Sequence, residues 1–565
     1  MAFLAVSLLV ALIAPASAEP GRGKGAQQAD VLVELQILAF NDYHGHVKAD
    51  EAGPVDGQPA GGGEYLSAKL NELRAGHENS LTVAAGDLIG GSPFFSGLFH
   101  DEPSVESLNV MELDVSGVGN HEFDEGVTEL LRMQNGGCHP VDGCYFPDEP
   151  YAGADFQWLA ANVQNDAGET PLPPYWITEV EGVPVGFIGM TLEATDTLVA
   201  AAGIQGWNFL DEAETANALV PVLKSQGVET IVVLLHEGGI PNPIEVDGCS
   251  GISGPIVDIN AALDKEIDAL ITGHTHLPYN CVLENRIVTS AFSYGRVVSE
   301  INLVLNKNTG DVVRGLTSAT NHAVLLADLE PDPAVTAVID KWAPLADEVG
   351  NVPIGTISAD INRGGDPTGS DRGVESPAGN LVADAQNWSA SAAGSEVAFM
   401  NPGGVRSDLT FASSAGEGDG VVTFGEAQTF QPFGNTILTF PMTGAQIVSV
   451  LEEQCQPAGS SRPVLHLGVS EGFTYDLAIT IDAGTCTGIS VTNVVINGAA
   501  LDLGTSYMVT ANSFLADGGD NFVTFADIDP ATRVDGGNDL LALINYVGTF
   551  SPVDPPATDR VNELP

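Results

Sequence analysis

Residues 31–47 read VLVELQILAFNDYHGHV. Apolar and polar residues alternate at first, then the run turns continuously apolar, the pattern of a strand ending at Asn41. Asp42, His44 and His46 follow at once, so titratable side chains gather where the strand stops. The same logic recurs in SLTVAAGDLIGGSP (80–93), where an apolar run gives way to a glycine-rich loop. VPVGFIGMT (183–191), TIVVLLHEGG (230–239) and IDALITGHTH (267–276) are further short buried strands that close on polar residues. Helix-like segments, Tyr65–Ala75 and Ala213–Gln226 among them, lie between. The result is a layered β/α arrangement, with polar residues at strand ends, where such sheets carry their sites.

The texture changes after DPAVTAVIDKWAPLADEVGN (332–351), an amphipathic helical stretch closed by Gly350 and Asn351 and followed by Pro353. AGNLVADAQNWSASAA (378–393) is helical, EVAFMNPGGVRSDL (396–409) a strand and loop, and TYDLAITIDA (474–483) and SVTNVVING (490–498) strands. A chain of 565 residues is too long for one ordinary core. The expected division is a first domain over residues 30–328, a linker helix over 329–352 and a second, α+β domain over 353–553.

The chain carries 75 acidic against 19 basic residues, a formal charge of −56. That argues against unaided binding to nucleic-acid polymers, whose phosphates require Lys/Arg stripes. Small phosphorylated ligands stay open, because metal ions locally reverse the field. MAFLAVSLLVALIAPASAEPG at the start is an apolar run closing on Ala16-Ser17-Ala18, the pattern of a signal peptide over residues 1–18. The expected setting is therefore secreted, periplasmic or cell-envelope, with no membrane span and no lipid-anchor tail. The six cysteines fit export as disulfides. Six allow fifteen connectivities; neighbours in sequence, Cys138–Cys144, Cys249–Cys281 and Cys455–Cys486, are the expected pairs.

Five strand-end pieces line up: Asp42-x-His44, Gly86-Asp87, Gly119-Asn120-His121-x-x-Asp124, His236, and Gly273-His274-x-His276. Alternate residues at a strand's end face one way, and a neighbouring glycine lets backbone approach an ion or phosphate. Mixed carboxylate, amide and imidazole donors without thiolate suit a borderline divalent ion and disfavour a structural zinc. One such piece alone is more often a satisfied loop than a metal site. Here five of the eleven histidines fall in these pieces.

The five pieces resemble the motifs of the calcineurin-like metallophosphoesterases, specifically the secreted bacterial 5′-nucleotidase family, and the resemblance runs over nearly the whole mature chain. It implies an α/β fold: a four-layer, β-sandwich-type catalytic domain with helices outside, joined by the linker helix to an α+β nucleotide-binding domain. It implies two divalent metal ions, from among Zn, Mn, Co and Mg. Asp42, His44, Asp87 and His276 would hold the first, and Asp87, Asn120, His236 and His274 the second, with Asp87 as the bridge. His121 and Asp124 would form a catalytic dyad, His121 on the phosphoryl group and Asp124 orienting it. In the second half, DRGVESPAGN, MNPGGVRSDL, TFQPFGNTI and NSFLADGGDNF resemble the family's substrate-binding segments. Arg372 and Arg406 would take phosphate or carboxylate-like groups and Asn401 the base; Phe433 and Phe514 would sandwich that base, and Asp520 would bind ribose hydroxyls. Pro402 departs from the glycine often found there, and the arginine set looks smaller than in some relatives.

These implications describe an exported phosphohydrolase acting on nucleoside 5′-monophosphates. The alternatives on the same site are a 2′,3′-cyclic-nucleotide phosphodiesterase with 3′-nucleotidase activity, or a UDP-sugar hydrolase. A non-enzymatic surface binding protein is disfavoured, since a relic site need not keep the dyad. Glu122 and Glu125 are expected at solvent or in capping, Phe123 packed beneath its loop, and His46 at the surface or behind the ligands. His77, His100, His139, His322 and His466 read as structural residues without companions.

Overall fold

The computed structural model describes residues 31–49, 52–413 and 416–564, and the expected signal peptide lies outside them. The opening stretch forms the strand Leu32–Phe40 in the middle of a six-stranded sheet. It pairs in parallel with Ser80–Ala85, which continues in parallel to Val115–Gly117, and antiparallel with Val297–Asn306. A second six-stranded sheet has Val183–Thr191, Thr230–His236, Ala269–Thr272 and Arg286–Ser290 in parallel at its centre.

Strand periodicity assembles these sheets into layers. Val33, Leu35, Ile37 and Ala39 face Val185, Phe187, Val232, Leu234 and Ile271 of the other sheet in one apolar cluster. The alternate residues Leu38 and Phe40 point away, onto Leu66 and Leu70 of the helix Gly63–Arg74. On the far side, Ile188, Met190, Val233 and Leu235 pack against Ala216, Val220 and Leu223 of the helix Glu212–Ser225. The order is helix, sheet, sheet, helix, the four-layer α/β fold that the resemblance implied. Strands buried on both faces must be apolar throughout, which is why these runs lose their alternation.

The helix Pro333–Gly350 starts as its sequence demands, with Asp332 accepting from the Ala334 N–H and proline in the first turn. Trp342 is fully buried on the first half of the chain and donates from Nε1 to Glu106 at 2.9 Å. Beyond it, a five-stranded sheet places Val397–Met400 parallel to Ser506–Asn512. Asn401 and Phe514 therefore emerge from the same sheet edge. The three disulfides pair neighbours in sequence, as expected: Cys138–Cys144, Cys249–Cys281 and Cys455–Cys486. Among the described residues no helix is long and apolar enough to cross a membrane.

Candidate active site

The parallel strands of both sheets stop on one edge, and their last residues turn sharply. Asp42, His44, Asp87, His274 and His276 all adopt left-handed backbone, with φ of 51°, 46°, 51°, 69° and 55°. Each such residue costs about 1–3 kcal/mol and persists where its surroundings over-determine it. The turns aim the side chains at a common point. Two flanking glycines are required by close approach: a Cβ on Gly119 would sit 2.2 Å from Asp87 Oδ1, and one on Gly273 would sit 2.9 Å from Asp42 Oδ2.

All seven residues expected as metal ligands come together. His236 Nε2 lies 2.8 Å from Asp87 Oδ2, and His44 Nε2 is 3.5 Å from the same oxygen. His276 Nε2 is 3.0 Å from Asp42 Oδ1, and His274 Nδ1 is 3.1 Å from Asn120 Oδ1. Asp42, His44 and His276 form one group that could hold an ion, and Asp87, His236 and His274 another. The donor chemistry fits cations. His44 Nδ1 donates to the Gly90 carbonyl and His236 Nδ1 to the Ala85 carbonyl, each at 2.7 Å, which leaves both Nε2 atoms as lone pairs in the neutral rings. His44 Nε2 faces His276 Nε2 at 3.1 Å, and the buried His236 Nε2 faces the Asp87 carboxylate. Lone pairs and carboxylate oxygens converging out of water are satisfied by divalent ions. Burial holds His44, His274 and His276 below the usual histidine range, in the form that ligates. Burial pushes His236 the same way, but Asp87 and Asp42 outweigh it and raise it to about 10, so a metal displaces a proton there.

The shell behind these atoms includes residues that sequence reasoning placed elsewhere. Glu122 is buried, not solvated; it accepts from Asp87 N at 2.9 Å, Leu88 N at 2.8 Å and Gly119 N at 2.5 Å. One carboxylate thus ties the Asp87 turn to the Asn120 turn. Burial, with the Asp87 charge adding to it, pushes its pKa up to about 7. Asn41 donates to Asp42 Oδ2 at 2.6 Å while its own oxygen accepts from Ala291 N at 2.7 Å. His46 is buried behind the ligands and stacks on Tyr294 with centroids 3.8 Å apart. His100 has companions after all: Glu125 and Asp142 each accept from it at 2.8 Å, and His139 stacks on it at 3.7 Å.

His121 and Asp124 meet across a 3₁₀ turn, Nδ1 to Oδ2 at 2.8 Å. Burial lowers the imidazole pKa, but Asp124 and Asp87 outweigh it and raise it above the usual histidine value. Phe123 is fully buried beneath, edge-on to Phe209, as expected.

A cleft of about 680 Å³ opens over this cluster, and its far wall comes from the second half of the chain. Arg372, Asn401, Arg406, Phe433, Phe514 and Asp520, the expected substrate residues, all line it. Phe433 lies parallel to His121 with centroids 5.9 Å apart, and Arg406 sits over Phe433 at 5.8 Å. Asp520, in left-handed backbone, accepts from Asn401 Nδ2 at 3.0 Å, and Asn401 Oδ1 accepts from Asn512 at 3.1 Å. Arg462, absent from the expected set, lines the same cleft.

Residues 35–278 match the family model described as calcineurin-like phosphoesterase, which defines the class of the first half. Residues 353–527 match the model described as 5′-nucleotidase, C-terminal domain. A cell wall protein of Listeria monocytogenes is 34% identical over 565 residues, covering 96% of this chain and 70% of that protein. Endonuclease YhcR of Bacillus subtilis is 33% identical over 531 residues, 92% of this chain but 40% of that protein, so the chain spans less than half of that relative. A 5′-nucleotidase precursor from Thermus thermophilus shares the fold with a TM-score of 0.73 at 23% identity, over 94% of this chain and 99% of that one. The chain belongs to the 5′-nucleotidase family of calcineurin-like metallophosphoesterases, metal-dependent hydrolases of phosphoric esters.

Proposed function

We propose that this chain is an exported hydrolase that cleaves nucleoside 5′-monophosphates to nucleoside and phosphate. The observation that carries the reading is one cleft with three parts in contact: converging lone pairs fit for two cations, a histidine paired with a carboxylate beside them, and a wall of arginines, aromatics and a paired Asn–Asp. Asp42, His44, Asp87 and His276 would hold one ion and Asp87, Asn120, His236 and His274 the other. Divalent ions held there supply positive charge to the phosphoryl oxygens and lower the pKa of water.

The chain's own groups supply the rest. His121 offers its remaining N–H to a phosphoryl oxygen while Asp124 fixes the ring and stabilises its charge. Arg372 and Arg406 take phosphate oxygens with planar forks. Phe433 and Phe514 offer apolar faces on which a base stacks, and Asp520 with Asn401 offers hydrogen bonds to ribose and base. Residues 30–328 then form the catalytic domain and 353–553 the substrate domain, joined through residues 329–352. Three disulfides and the likeness to a cell wall protein support export. The formal charge of −56 supports a small nucleotide over a polymer.

The test is a side-by-side assay of AMP, 3′-AMP, 2′,3′-cyclic AMP, UDP-glucose and single-stranded DNA with added Mn²⁺, Zn²⁺ or Co²⁺. AMP is expected to have the highest kcat/KM. A higher value on any of the others overturns the proposed substrate.

A further inference from the structure

Three arginines line the cleft: Arg372, Arg406 and Arg462. In so acidic a chain their isolation is informative. Arg74, Arg132, Arg314, Arg363, Arg533 and Arg560 each pair with a carboxylate. Arg286 and Arg296 bond to backbone carbonyls. Among the described residues, none of the three cleft arginines has a carboxylate within ion-pair distance. Concentrated positive charge left unpaired in a concave site calls for an anion.

Arg406 lies over Phe433, the ring that stacks beside His121, and a Cβ on Gly91 would come within 3.1 Å of its guanidinium. Arg462 lines the same cleft as Glu237, His274 and His276. Arg462 sits in a short loop that begins beside Cys455, which is bonded to Cys486 on the strand Thr485–Ile496. Gln456 of that loop donates to the Asp520 carbonyl at 3.0 Å and accepts from Asn521 at 3.1 Å. The loop is thereby fastened to the wall that carries Asp520.

We propose that Arg462 is a third phosphate-binding residue, which contacts the transferring phosphoryl group in this cleft. The proposal rests on reading the cleft as a phosphoester site. A guanidinium there gives a forked, charge-assisted contact that a second metal-side donor set does not duplicate. Because it acts on the phosphoryl group, its loss falls on every phosphoester, whatever the leaving group.

The experiment compares full-length wild type, Arg462→Ala, Arg462→Lys and Phe433→Ala, all loaded with metal. kcat/KM is measured on AMP and on p-nitrophenyl phosphate, together with the inhibition constant of inorganic phosphate. Arg462→Ala is expected to lose about 10- to 100-fold in kcat/KM on both substrates and to weaken phosphate inhibition by a similar factor. Arg462→Lys is expected to recover part of both, and Phe433→Ala to raise KM for AMP by a larger factor than it weakens phosphate inhibition. Unchanged phosphate inhibition in folded Arg462→Ala, within about twofold of wild type, overturns the proposal. If the alanine variant does not fold, Arg462→Lys decides: weaker phosphate inhibition supports the contact and a wild-type constant refutes it. If wild type cleaves p-nitrophenyl phosphate but no nucleotide, the nucleotide reading fails while the phosphate measurements still judge Arg462. Should wild type cleave no phosphoester, calorimetric phosphate binding to the metal-loaded proteins replaces inhibition, with equal affinity in Arg462→Ala as the refuting result.

Discussion

Replacing Glu122 by glutamine tests whether the metal cluster depends on the carboxylate behind it. Glu122 Oε2 accepts from Asp87 N and Gly119 N, and Oε1 from Leu88 N. An amide of the same shape keeps one oxygen. Turned toward the Asp87–Gly119 pair, it sets its own N–H groups against the Leu88 N–H, so one charge-assisted bond is lost and a donor is left without an acceptor. A hydrogen bond to a charged group is worth about 1.5–3 kcal/mol, so the linked turns lose about that much, equivalent to roughly 10- to 100-fold in affinity for ions that need both turns in place. Outer partners of metal ligands elsewhere affect affinity on the same scale. The assay is a titration of metal-stripped protein, followed by metal content after gel filtration and by recovery of p-nitrophenyl phosphate hydrolysis. Thermal unfolding with metal absent separates a fold defect from a site defect. If Glu122→Gln binds metal and turns over like wild type, the coupling of Asp87 to Asn120 through Glu122 is wrong.

Other outcomes follow from the same geometry. His121→Ala is expected to lose about 10²–10³-fold in kcat with metal content unchanged; wild-type turnover removes the dyad from the mechanism. Phe433→Ala is expected to raise KM for AMP by about tenfold, from a stacking worth of ~1–3 kcal/mol, while p-nitrophenyl phosphate changes little. Equal losses on both substrates would point to the fold. His100 is raised to about 9: burial lowers it, but its bonds to Glu125 and Asp142 prevail. Its pKa is higher folded than unfolded, so its contribution to stability is complete below about pH 6.5 and disappears as pH rises through about 9. His100→Asn should therefore melt below wild type near pH 6 and approach it above pH 9; a gap that does not narrow contradicts the ion-pair account.

The metal-side residues were legible in sequence because each follows an apolar run by one to four positions. Chain direction alone carries such residues to the edge where parallel strands stop. The disulfides were legible because each pair is near in sequence, with separations of 6, 32 and 31. Glu122 was not legible: beside Asp124 and Glu125 a carboxylate reads as solvated, and its burial follows from N–H groups on turns more than thirty residues upstream. Arg462 sits in AGSSRP, a stretch with the composition of a surface turn. Only the packed chain reveals that no carboxylate among the described residues pairs with it and that it lines the same cleft as the metal-side histidines. His100 was missed for a similar reason, since Glu125 and Asp142 lie 25 and 42 residues away.

The most direct test of the metal–dyad–nucleotide account strips the protein with chelator, restores one divalent metal at a time and follows AMP. Adenosine and orthophosphate should appear one for one, only after metal is restored, and Asp87→Asn should fail to recover at stoichiometric metal. AMP left intact under every metal, or hydrolysed equally well by the stripped protein, would contradict it.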